Sequence, residues 1–184
     1  MTIEWLFQKF RMIFLYARYI LAYRFCKSRL REVLLILSSI LGVIGDSKPS
    51  KDVFELAVET GREIARKGAI LVCGGLGGIM EGASMGAKEL GGMTIGILPD
   101  YDISMGNKYV DIPIATGMGH ARNVIIAATA HALIALPGSY GTLSEISHGL
   151  KLGKKVIALG RDESPPDVIV AKNPQHAVEL ALDV

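Results

Sequence analysis

The sequence predicts a doubly wound α/β domain: a mostly parallel β-sheet covered by helices on both faces. Short apolar runs alternate with helical patterns along residues 38–184, an order that calls for a parallel sheet with crossover helices. Three of these runs end in glycine-bearing turns: Gly42-Val43-Ile44-Gly45-Asp46-Ser47, Gly74-Gly75-Leu76-Gly77-Gly78 and Pro137-Gly138-Ser139-Tyr140-Gly141. Open parallel sheets bind ligands beyond the carboxyl ends of their strands, so three converging junctions predict a site as well as a sheet. The size fits one domain, since 184 residues, half of them hydrophobic and about a fifth charged, can bury a full core.

The first strand is expected over 39–45. Ser50, after Pro49, is a candidate N-cap, and Val53, Leu56, Ala57, Thr60 and Ile64 then follow at helical spacing until Gly68. The second strand is 70–73, and its helix over 78–90 carries Met80, Ala83, Ala87 and Leu90 on one face. Gly91-Gly92 ends that helix, a third strand spans 94–98, and Pro99 stops it. A polar loop, 100–108, leads to a fourth strand over 109–114. Gly117 and Gly119 precede Arg122-Asn123 and an apolar helix through Ile125, Ile126 and Ala128. The fifth strand is 131–136, with His131 expected as a packed core histidine. Its helix shows Leu143, Ile146 and Leu150; a sixth strand follows at 154–159, a short apolar run at 168–170, and a closing helix at 177–182.

Residues 1–37 differ in character and read as a helical extension to a domain at 38–184. Trp5, Phe7, Phe10, Phe14, Tyr16, Tyr19, Tyr23 and Phe25 crowd into it beside Lys9, Arg11, Arg18, Arg24, Lys27, Arg29 and Arg31. These charges interrupt every apolar stretch before the roughly 18 residues that a spanning helix needs. At roughly 100° per residue Arg11, Arg18 and Arg29 share one meridian while Lys9 and Lys27 lie opposite, which makes a poor amphipathic face. Two readings stand: a segment foreign to the core, or a membrane-surface or partner helix through residues 1–35. No clear cleavage site marks a signal peptide. Cys26 and Cys73 give no disulfide framework or metal spacing, which suits a reducing cytoplasm. Cys73 ends an apolar strand and reads as a small buried residue. The formal net charge is +2, and the part beyond the extension offers no basic face for nucleic acid.

The segment 137–145 combines an anion cradle with a carboxylate. Gly138 and Gly141 let the backbone approach a ligand. Thr142 and Ser144 stand where a helix begins, and unpaired amides at a helix start attract phosphate. Glu145 is expected in the first turn, where an acid also favours the helix dipole without any chemistry. Asp46 and Ser47 are candidates for a ribose or base. Standard motifs fit less well. Gly75 and Gly77 match half of the dinucleotide fingerprint, but Met80 occupies the third glycine's place. A phosphate loop of the G-x-x-x-x-G-K-[ST] kind, a G-x-S-x-G elbow and a zinc-ligand set are absent, and no metal site is expected. Glu145 and His148 lie three apart, with His148 read as solvated or as a second layer around the site.

Pro137-Gly138-Ser139-Tyr140-Gly141-Thr142-x-x-Glu145 resembles the P-G-G-x-G-T-x-x-E signature of the LOG proteins, once labelled lysine decarboxylases. Some of these are cytokinin-activating phosphoribohydrolases. The block from Gly74 to Glu81 is similar to their first glycine loop. The wider similarity is closer to a small Rossmann-like sister group that includes the molybdenum cofactor carrier proteins. It rests on Thr94-Ile95-Gly96-Ile97-Leu98-Pro99, Thr116-Gly117-Met118, Ala121-Arg122-Asn123 and Gly153-Lys154-Lys155-Val156-Ile157-Ala158-Leu159. The resemblance covers about residues 40–183 and implies a Rossmann-like fold with a nucleotide-like ligand under the glycine loops. In LOG enzymes an arginine and the signature glutamate carry N-glycosidic hydrolysis of a nucleoside 5′-monophosphate; Arg122 and Glu145 match those positions. Ser139 replaces a signature glycine, Asn123 a common lysine and His131 a usual aspartate, which favours the carrier-like group.

Two functions follow from the resemblance. One is a carrier or sensor that binds a phosphorylated ligand, either a nucleotide or the molybdenum cofactor, with no cofactor required. The other is a phosphoribohydrolase with Arg122 and Glu145 as catalytic residues. The ligand-binding set is Gly45, Asp46, Ser47, Gly74, Gly75, Gly77, Gly78, Met118, Asn123, Gly138, Ser139, Tyr140, Gly141 and Thr142. The partner is a small phosphorylated molecule, and the resemblance implies a homo-oligomer, dimer or tetramer.

Overall fold

The computed structural model describes residues 39–161 and 165–183; the expectations for residues 1–37 fall outside them. Among these residues seven strands form one sheet: β1 (Ile40–Ile44), β2 (Ile70–Cys73), β3 (Thr94–Leu98), β4 (Ile112–Ala115), β5 (Ala132–Ala135), β6 (Lys155–Leu159) and β7 (Ile169–Ala171). Their order is β4-β3-β2-β1-β5-β6-β7, and every pairing is parallel. The order reverses between β1 and β5, so a crevice is expected beyond the carboxyl ends of those two strands.

Five helices cover the sheet among the described residues: α1 (Lys51–Arg66), α2 (Ile79–Glu89), α3 (Asn123–Thr129), α4 (Tyr140–Lys151) and α5 (Pro174–Leu182). Ser50 caps α1 by accepting the Val53 N–H, and Gly68 at φ 72° turns the chain away at its end. Asn173 caps α5 by accepting the His176 N–H, with Pro174 in the first turn.

Strand residues alternate between two cores, because successive side chains point to opposite faces. Leu41, Val43, Leu71, Cys73, Ile134, Leu136 and Ile157 pack with α1, α2 and α5, on one face. Ile44, Val72, Leu133, Ala135, Val156 and Ala158 pack with Ile126 of α3 and Ile146 of α4, on the other. On the first face α1 and α2 touch backbone to backbone. A Cβ on Gly61 would lie 2.0 Å from Ala83 O, and one on Gly86 would lie 1.9 Å from Val58 O.

Two expectations change. β4 begins at Ile112, three residues late, because Thr94 ties down the preceding turn: its hydroxyl donates to Tyr109 O (2.7 Å), and its N–H donates to the Asp111 carboxylate (3.0 Å). His131 is exposed, not packed in the core; it precedes β5, and its Nδ1 accepts the first N–H of β1, from Ile40, at 2.9 Å. Cys73 is buried as expected. No helix among the described residues is long and apolar enough to cross a membrane.

Candidate functional site

The glycine loops meet at one rim. Ile79 N–H donates to Asp46 O (3.0 Å), which fastens the start of α2 to the loop after β1. Gly78, at φ 68°, makes this approach feasible, since a Cβ there would lie 2.5 Å from Ser47 O. A Cβ on Gly45 would strike Ile79 Cδ1 at 2.4 Å. The turn after β5 joins the same rim. Leu136 N–H donates to Ile44 O (2.9 Å), and Asp46 N–H donates to Pro137 O (3.1 Å). A Cβ on Gly138 would lie 2.2 Å from Thr142 Oγ1 and 2.9 Å from Asp46 N.

Beside this turn stands a buried ion pair. Arg122 ends the 3-10 turn Gly119–Arg122, and it lies so close to Gly74 that a Cβ there would be 2.4 Å from Nη2. Its Nη2 donates weakly to Gly74 O (3.4 Å), and its Nη1 lies 3.6 Å from Glu145 Oε1. Arg122 is 7% exposed and Glu145 6%. Burial pushes the Glu145 carboxyl up to about 7, and Arg122 only partly offsets it. Burial also lowers Arg122, against the pull of Glu145. The guanidinium nonetheless remains a cation, and its buried Nε has no hydrogen-bond partner.

Asn123 connects this pair to α4. Its Oδ1 accepts Arg122 Nη1 (2.9 Å), and its Nδ2 donates to Ser144 Oγ (2.9 Å) and Gly141 O (3.3 Å). Ser144 Oγ donates in turn to Gly141 O at 2.7 Å. The amide of Asn123 is therefore engaged with the protein and holds the arginine against the first turn of α4. That turn begins at Tyr140, with Ser139 as an N-cap whose side chain makes no capping bond. Glu145 consequently lies in the second turn, which corrects its expected place in the first. Six residues into the helix, it is beyond the reach of the N-terminal dipole, and its burial against Arg122 becomes its main feature.

The remaining candidates are scattered. At Gly75, φ 73°, a Cβ would lie 3.0 Å from Gly96 Cα, and its carbonyl is taken by Asn107 N–H (2.8 Å), so it serves the strand ends. A Cβ on Gly77 would meet little, Glu81 Oε2 at 3.9 Å. Met118 precedes the Arg122 turn and is half exposed, while Ser139 and Tyr140 face solvent, Tyr140 at 92%. His148 is also exposed. Two residues outside the expected ligand set belong to this rim. Ser144 supports Asn123, and Arg161 donates from Nη1 to Leu136 O at 2.9 Å. Arg161 carries a readable signal: it follows Gly160 at the end of an apolar run, the pattern of the other rim loops.

The profile of the SLOG cluster4 family matches residues 38–182, and the chain belongs to that family. An uncharacterized protein of Archaeoglobus fulgidus is 44% identical over 146 residues, covering 77% of this chain and 93% of that one. The structure of the molybdenum cofactor binding protein from Rippkaea orientalis is similar at 38% identity and a TM-score of 0.74, over 78% of this chain and 94% of that one. The cytokinin riboside 5′-monophosphate phosphoribohydrolase LOG of Oryza sativa is 36% identical over 107 residues, which are 55% of this chain and 44% of the enzyme. The chain thus spans about half the length of that LOG relative. Together with the parallel sheet they make this a Rossmann-like protein of the SLOG type.

Proposed function

We propose that this chain holds a phosphorylated, nucleotide-like ligand at the rim of its sheet as a carrier or sensor, without turning it over. The observation that carries the reading is Arg122: a buried cation with a free Nε, fixed by Asn123 beside the start of α4. An orphaned buried donor is costly unless an acceptor arrives, and a phosphate oxygen is the acceptor that a guanidinium matches best. The first-turn amides of α4, which Asn123 links to Arg122, are further donors suited to a phosphate. Similarity to the Rippkaea orientalis protein supports the molybdenum cofactor as one such cargo. Its fit here is through phosphate, with Arg122, Gly138 and Thr142 as the holding residues. A melting-temperature screen of the full chain with nucleoside monophosphates and the isolated cofactor tests the reading. A bound ligand raises the midpoint by mass action; a flat response to all of them removes it.

A second reading, phosphoribohydrolase, is favoured by the raised carboxyl of Glu145 beside Arg122 and by the similarity to LOG. Arg122 would grip the 5′-phosphate, and Glu145 would stabilise the oxocarbenium-like centre or orient water. Release of free base from a nucleoside monophosphate, abolished by Glu145→Gln, establishes that reading and overturns the carrier.

A further inference from the structure

We propose that Arg161 is a second anion-binding residue and that the ligand carries two adjoining anionic groups, as a diphosphate ester does. This rests on the binding reading above and names the ligand class more closely. Among the described residues, two buried side-chain polar atoms lack a partner: Arg122 Nε and Arg161 Nε. Hydrogen bonds tie both arginines to the one turn that follows β5, Arg161 directly and Arg122 through Asn123. Arg122 reaches Gly141 through Asn123. Arg161 reaches Leu136, at the other end.

The ladder explains how Arg161 comes there. Leu136 N–H pairs with β1 at Ile44 O, but the next β1-side donor, Asp46 N–H, skips to Pro137 O. Leu136 O is thereby left out of the sheet beside the β1–β5 crevice, and Arg161 Nη1 takes it. Gly160, at φ 66°, delivers the arginine to this place: a Cβ there would meet Leu56 Cδ2 at 2.9 Å and Pro137 Cδ at 3.9 Å. That carbonyl uses one of five guanidinium donors. Burial lowers the Arg161 pKa, the signature of a cation partly stripped of water. A single phosphate at Arg122 and α4 would leave this second guanidinium unanswered. A second phosphate on the same ester answers it, because planar paired donors suit phosphate oxygens.

Isothermal titration of the full chain with AMP, ADP and inorganic pyrophosphate tests this. ADP should bind at least about tenfold more tightly than AMP, the factor expected of one added charge-assisted contact. Arg161→Gln should cut that ratio below about threefold while AMP affinity moves less than about twofold, since only the second phosphate loses its partner. Arg161→Lys keeps a donor for Leu136 O and should keep the fold, with a preference between the two. Pyrophosphate should raise the melting midpoint of the native chain more than that of Arg161→Gln. Equal binding of AMP and ADP by the native chain, or an equal proportional loss of both in Arg161→Gln, overturns the inference and leaves the binding reading intact. Pyrophosphate held through Arg161 without binding of either nucleotide supports the inference and sinks the nucleotide reading instead.

Discussion

On the α1–α2 face glycine lets two helices touch, whereas at the rim it makes room for a charge. Gly61 and Gly86 sit inside helices, and their missing side chains are replaced by the facing backbone at about 2 Å from the Cβ position. Gly74 and Gly138 sit after strands; a Cβ on Gly74 would meet the guanidinium of Arg122, and one on Gly138 the hydroxyl of Thr142. The polar content of the two regions divides in the same way. Around α1 and α2 the charges stay outside: Arg62 pairs with Glu59 and Glu89, all at least partly exposed. Around α3 and α4 Arg122, Asn123, Thr142 and Glu145 are buried. One region packs backbone against backbone, and the other holds desolvated polar and charged groups.

Substitutions can pull these roles apart. Gly86→Ala should lower unfolding free energy by about 3 kcal/mol, because a methyl meets Val58 O and the helices must separate. A urea unfolding curve reads this, and ligand affinity of the folded protein should stay unchanged. Loss of ligand binding in the folded Gly86→Ala variant would contradict the division.

Glu145→Gln should change the pH dependence of stability. Burial raises the Glu145 carboxyl from its ordinary value of 4.5 to about 7, so between those values the folded state binds a proton that the unfolded state has released. Its contribution is complete below about pH 4.5 and fades as pH rises through about 7. Relative to Glu145→Gln, the native chain should therefore lose about 2 kcal/mol between about pH 5 and pH 7. Parallel stability curves for the two proteins across that window would show that Glu145 is not buried in solution as it is here.

Gly138→Ala and Gly141→Ala compare two positions of one turn. Gly138→Ala should weaken phosphate binding at least about tenfold and cost about 1–2 kcal/mol in stability, from overlap with Thr142 and Asp46. A Cβ on Gly141, in the first turn of α4, would have nothing within 4 Å. Gly141→Ala should keep stability or raise it by up to about 1 kcal/mol. It should still weaken phosphate binding, because the added methyl stands where the ligand approaches. Unchanged affinity in both variants would move the ligand off this turn. The smallest effect is expected at Glu89→Gln, within about 0.5 kcal/mol in thermal unfolding, because exposed ion pairs contribute little.

Much of this fold is legible from periodicity and glycine placement. Alternating apolar runs locate the strands, and Ser50 and Gly68 bound α1, because capping and left-handed turns are local chemistry. The start of β4 escapes such reading because a tertiary bond from Thr94 overrides the strand propensity of Tyr109 and Val110. His131 escapes it for a similar reason: its neighbours are apolar, but its place just before the strand lets it face solvent. At the site, Arg122, Glu145 and the paired glycine turns are readable as a pattern. The engagement of Asn123 with Ser144 is not, because that bond joins α3 to α4 across the packing of two helices. Gly160 marks the place of Arg161 in the sequence, but its bond to Leu136 O depends on a skipped rung of the sheet ladder, which no spacing reveals.

The central claim is that a phosphate is captured at the rim by Arg122 with the first turn of α4. Titration of the native chain and Arg122→Gln with AMP at pH 6, where Glu145 is mostly neutral and tolerates the loss of its partner, tests it most directly. An affinity loss of at least about tenfold with the fold retained is predicted, the range of a lost charge-assisted contact. Equal affinity in the two proteins would contradict it.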